Sequence, residues 1–95
     1  MDTRLKATRT AIENNDRVTI TERRFAPGAE TGWHRHAMDY VVVYRTSWQM
    51  MVETKGGANP VQIAEGQSFF RRAPIEHNVI NTGDSEVVFV ETELK

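Results

Sequence analysis

The stretch RFAPGAETGWHRHAMDYVVVY, residues 24–44, decides the fold. It opens on Ala26-Pro27-Gly28-Ala29, where proline presets φ and glycine accepts a positive φ, so a turn is expected there. Two short strands should follow, over residues 32–36 and 40–44, the second a β-branched run between two tyrosines. Upstream, residues 17–25 alternate Val18, Ile20 and Glu22 against Thr19, Thr21 and Arg23, a period of two that fits a half-buried strand. The pattern continues outward. Residues 5–12 read as a polar edge strand, closed by the turn Asn14-Asn15-Asp16. Further strands are expected at 48–53, 61–64, 68–71, 77–81 and 86–94, with a sharp break over Lys55-Gly56-Gly57-Ala58-Asn59-Pro60. Short strands separated by turn signals every eight to twelve residues are the mark of an all-β sandwich or barrel.

Composition narrows the function classes. The chain has 95 residues, 12 basic and 13 acidic, for a net charge of −1. That balance argues against nucleic acid or an acidic membrane surface as partner, since both favour a basic excess. No apolar run approaches the ~20 residues of a membrane span, and MDTRLKATRT lacks the apolar segment of a secretory signal, so a cytoplasmic location is expected. Without cysteine there is no disulfide, no thiolate nucleophile and no cysteine-held zinc or iron–sulfur site. One domain should span residues 1–95, with the barrel over about 17–94 and residues 1–16 as an N-terminal edge strand in dimer contact. A domain of this size buries only ~60–65% of the surface its unfolded chain exposes, so a self-associating face would add stability and a homodimer is expected.

The histidines carry the chemistry. His34 and His36 form H-x-H on an expected strand, and alternate strand residues project to one face. Two imidazoles aimed at one spot suit zinc, iron, nickel or copper. Alone, such a pair is as readily two surface histidines. His77 follows 41 residues after His36, inside the run Gly66-Gln67-Ser68-Phe69-Phe70-Arg71-Arg72-Ala73-Pro74-Ile75-Glu76-His77-Asn78-Val79-Ile80-Asn81.

Together these segments resemble the cupin superfamily. Its first motif runs from a glycine to H-x-H and then to a glutamate three or four residues on; its second runs from a glycine to a histidine and an asparagine four positions later. Gly28, with five residues between it and His34, fits the first, and Gly66, His77 and Asn81 fit the second. Residues 24–44 and 76–95 look like a subgroup of very small cupins, some labelled beta-alanine degradation proteins; cupins of this size also include a dehydratase acting on a nucleoside aldehyde. The resemblance implies a single-domain cupin-type jelly-roll β-barrel with a divalent transition metal (iron, zinc, nickel or manganese) on His34, His36 and His77.

There are departures from the family pattern. Tyr40 and Val41 stand where the glutamate belongs. Strand parity puts Tyr40 on the face of His34 and His36, whereas a bulge over residues 37–39 would bring Asp39 inward instead. A neutral phenol with an ordinary pKa near ~10 is a poor metal ligand. Arg72-Ala73-Pro74 replaces a Pro-x-Gly, and Arg45-Thr46-Ser47 lacks the usual hairpin glycine.

Other residues have two readings each. Tyr44, Trp48, Phe70 and Phe89 either line a ligand pocket or pack the core. Parity groups Val87, Phe89, Glu91 and Glu93 on one face, so an inward Glu91 would serve as general acid or base with a raised pKa, and an outward one as a solvent or interface carboxylate. Arg23-Arg24 and Arg71-Arg72 must split their faces, leaving one of each pair free to meet a substrate carboxylate or phosphate, or to form a surface salt bridge.

The expected function is a metalloenzyme acting on a small organic metabolite, of dioxygenase, isomerase or dehydratase type, with Tyr40 and Glu91 catalytic and Tyr44, Trp48, Phe70 and Asp39 binding. The alternatives are a non-catalytic small-molecule-binding module and a metal-free dehydratase or isomerase that uses histidine and carboxylate.

Overall fold

The computed structural model describes residues 4–95, and among them there is no helix, hence none long and apolar enough to cross a membrane. Nine strands are present: β1 (Thr8–Asn14), β2 (Val18–Phe25), β3 (His34–His36), β4 (Tyr40–Tyr44), β5 (Trp48–Thr54), β6 (Gly57–Ile63), β7 (Ser68–Arg71), β8 (Ile75–Asn81) and β9 (Val87–Leu94). They form two antiparallel sheets, β1-β2-β9-β4-β7 and β3-β8-β5-β6, which pack face to face as a jelly roll without closing into one continuous ladder.

The expected turn at residues 26–29 is present: Ala29 N–H donates to the Ala26 carbonyl at 3.0 Å, and Gly28 takes φ +82° at the position where a type II turn needs it. The Lys55–Pro60 break is a correction. Only residues 55 and 56 turn; β6 starts at Gly57 and runs through Pro60 opposite Met51. Proline is tolerated because β6 is the outer strand of its sheet, so no neighbour asks for the missing N–H.

The core has an apolar end and a polar end. Phe25, Trp48 and Phe89 meet with ring centroids 5.2–5.7 Å apart, and Tyr44 joins them 5.4 Å from Phe89. Burying each of these rings is worth roughly 1.5–3 kcal/mol, which makes this cluster the main support of a thin core. It floors a cavity of about 330 Å³ whose other walls carry the histidines. Trp33, beside His34 and therefore on the opposite face, is 51% exposed on the outside rather than packed under a neighbouring element, and its indole N–H donates to Glu76 Oε2 at 3.3 Å.

Candidate metal centre

Parity and register bring the three histidines together. His34 and His36 alternate on β3, and β3 pairs with β8 so that His34 lies directly opposite His77. One nitrogen from each ring falls within 4.8 Å of the others, and His34 Nε2 stands 2.9 Å from His36 Nε2. Two nitrogens bound to one ion at roughly 2.0–2.1 Å sit roughly 3.0–3.5 Å apart, so a slight opening of this pair suffices. The His34 Nδ1–H donates to the Gly32 carbonyl at 2.8 Å, which fixes its tautomer and makes Nε2 the lone-pair nitrogen, the acceptor in its contact with His36 Nε2. Burial holds all three imidazoles neutral: His34 is lowered, His77 is pushed to about 4 and His36 to about 3, with the neighbouring histidines adding repulsion for the last two. Neutral imidazole is the ligating form.

The segment that presents His34 is held from behind by a residue the sequence reading missed. Asn78 points to the far side of β8, where it is 6% exposed. Its Oδ1 accepts from the Gly32 N–H at 3.0 Å, and its Nδ2 donates to Glu30 at 2.6 Å and Glu53 at 2.9 Å. Gly32 takes φ +85° to make the corner, a conformation that disfavours any side chain. The available clue was an asparagine between His77 and the apolar pair Val79-Ile80.

Around the triad, the inner face of the five-stranded sheet supplies Tyr40 and Glu91. Tyr40 stacks on His36 with centroids 4.2 Å apart and a 28° tilt, as parity required. Burial raises its phenol above the ordinary range, with Glu91 adding to the effect, so it stays a neutral donor. Glu91 is 5% exposed; one oxygen accepts from Arg23 Nε at 2.8 Å and the other lies 3.7 Å from His36 Nε2. Burial raises its carboxyl, and the Arg23 guanidinium opposes that shift only in part. The arginine pairs split as expected. Arg23 turns inward, Arg24 bonds Glu86 outside at 2.8 Å, and Arg71 reaches the cavity wall.

Tyr44 lines the cavity, but three residues expected at the binding site stand elsewhere. Phe70 is 51% exposed, because Tyr40 pairs with Arg71 and Val42 with Phe69; those two face inward and Phe70 faces out. Trp48 is buried in the aromatic floor rather than in the cavity wall, and its indole N–H has no partner among the described residues. Asp39 does not bulge inward; its Oδ1 accepts the Ala73 N–H at 2.8 Å and ties β4 to the loop before β8.

Comparison with known proteins accounts for this arrangement. The family model described as a cupin domain matches residues 21–93. The chain is a cupin. Over its full length, and over all of the relative, this cupin is 52% identical to a Pseudomonas aeruginosa protein named beta-alanine degradation protein BauB. A crystal structure of a cupin domain from Bordetella pertussis superposes with a TM-score of 0.96 at 49% identity, covering 100% of this chain and 99% of that one. The polyketide cyclase RemF from Streptomyces resistomycificus shares the fold at 15% identity, with a TM-score of 0.76, covering 94% of this chain and 65% of its own.

Proposed function

We propose that this cupin is a metal-dependent enzyme acting on a small organic metabolite, with a divalent transition metal held by His34, His36 and His77. The observation that carries the reading is three neutral imidazoles converging on the wall of a half-open cavity that also contains a carboxyl and a phenol. When bound, such a metal supplies polarisation of a substrate oxygen or activation of dioxygen. Glu91 is suited to take up and return a proton, since burial brings its pKa toward neutrality while Arg23 fixes its orientation. Tyr40 donates a hydrogen bond as a neutral phenol and packs the His36 ring in place. The name of the relative from Pseudomonas aeruginosa makes metabolites of beta-alanine breakdown the first substrates to screen.

The reading also takes the chain as a homodimer. Every residue of β1 is exposed, and Leu5 and Ile12 leave 65% and 55% of their surface open. Light scattering should return twice the chain mass.

Elemental analysis of untagged protein, purified without chelators, tests the metal site. About one equivalent of a transition metal per chain is expected, lost in His34→Ala/His36→Ala. An empty protein that also refuses added zinc, iron, nickel and manganese would overturn the reading.

A further inference from the structure

The charges in the cavity do not cancel, and the imbalance falls on one residue. Glu91, the only carboxylate on the wall among the described residues, is already paired with Arg23 behind it. Among the described residues Arg71 is the only lysine or arginine on the wall; it is solvent-exposed at the rim, and no carboxylate lies within ion-pairing distance of it. Its guanidinium carbon instead sits 4.7 Å over the Phe69 ring, a cation–π contact that orients the group without neutralising it. Phe69 in turn meets Tyr44 edge to face at 6.0 Å. The Tyr44 side chain is 6% exposed, yet its hydroxyl has no hydrogen-bond partner among the described residues. Tyr44 lines the cavity, and its hydroxyl is free there to bond a group that enters from outside the chain. Much of the remaining wall is apolar, including Val42, Met50, Val52 and Val79.

We propose that Arg71 and the Tyr44 hydroxyl anchor a substrate carboxylate, so that the cavity admits a short aliphatic acid. This deepens the enzyme reading above and rests on it for the word substrate, although the anchor itself needs no metal. A carboxylate fits better than a phosphate. One unpaired guanidinium offers two parallel N–H donors and a single charge, which match a monoanion, while Glu91 and Glu93 nearby oppose a dianion. The cavity of about 330 Å³ has ample room for a short aliphatic acid.

The test uses the full chain stripped of metal, with the chelator dialysed away because it is itself a polycarboxylate. Propanoate, propanamide and inorganic phosphate are titrated while backbone amide chemical shifts are followed. Propanoate should bind saturably and propanamide should not. Arg71→Gln should weaken propanoate by at least about tenfold, and Tyr44→Phe by about two- to tenfold. Arg72→Gln, which removes the same charge from a neighbour, exposed like Arg71, that does not line the cavity, should change it less than about twofold. Equal effects of Arg71→Gln and Arg72→Gln, equal binding of acid and amide, no propanoate binding, or tighter Arg71-dependent binding of phosphate would each overturn the assignment. Repeating the titration with zinc separates the two ideas. Zinc refused with propanoate still bound through Arg71 leaves the anchor and removes the metal; zinc bound with propanoate insensitive to Arg71→Gln does the reverse.

Discussion

Asn81 and Tyr44 are both nearly sealed from water, at 0% and 6% exposure, and their polar atoms are treated in opposite ways. Every hydrogen-bonding atom of the Asn81 side chain is engaged. Nδ2 donates to the carbonyls of Phe25, Ala26 and Ser85 at 3.3, 3.3 and 2.9 Å, and Oδ1 accepts the Gly83 N–H at 3.0 Å. It joins the Pro27-Gly28 turn to the turn before β9, so its polarity serves the fold. The cavity a few residues away holds a phenol hydroxyl without a partner, an unpaired guanidinium and three imidazoles turned toward one another. Polarity that is satisfied inside the chain holds structure together; polarity left open on a cavity wall is available to a group the chain does not contain.

The largest effect expected from this contrast is at Asn81. Asn81→Ala removes the side-chain bonds to three carbonyls and to the Gly83 N–H in a buried turn, and should cost about 3–5 kcal/mol in urea unfolding. A loss below about 1 kcal/mol would erase the structural half of the comparison.

Acid should probe the open half next. Burial depresses the folded-state values of His36 to about 3 and His77 to about 4 from the ordinary 6.5. The folded state therefore binds fewer protons than the unfolded chain between those values and 6.5, and stability rises with pH there. Metal-free protein should hold its full histidine contribution above pH 6.5 and lose it progressively as pH falls toward 4. Unfolding midpoints at a series of pH values should show this slope, and it should be shallower in His36→Gln/His77→Gln, which keeps the carboxylates but lacks the two depressed groups.

The smallest effect belongs to Tyr44. Since its hydroxyl has no hydrogen-bond partner among the described residues and lines the cavity, Tyr44→Phe should shift stability by less than about 1 kcal/mol, in either direction, while weakening propanoate. A larger loss of stability would mean that the hydroxyl has a structural partner after all.

Much of this was legible in the sequence because strand parity is a strict rule. H-x-H on a short strand placed His34 and His36 together, and the family spacing brought in His77. Parity also chose Tyr40 over Asp39 and put Glu91 on the face of Phe89. It failed where the phase was ambiguous. In Phe69-Phe70 either ring could face inward, and only the pairing of Tyr40 with Arg71 across β4 and β7 decides for Phe69. Pro60 looked like a break because the edge position of β6, which makes proline harmless, depends on the order of strands in the sheet. Asn78 escaped notice because its partners, Gly32, Glu30 and Glu53, lie 25 to 48 residues away in sequence.

The most direct test of the central claim combines two readings on one variant, His36→Gln/His77→Gln at pH 7.5. Zinc affinity is measured by competition with a chromophoric chelator, and stability of the metal-free protein by urea unfolding. The account predicts zinc binding weakened by at least about a hundredfold, with stability within about 1 kcal/mol of the parent, because these rings serve a ligand and not the fold. Zinc affinity left intact, or a variant that unfolds, would contradict it.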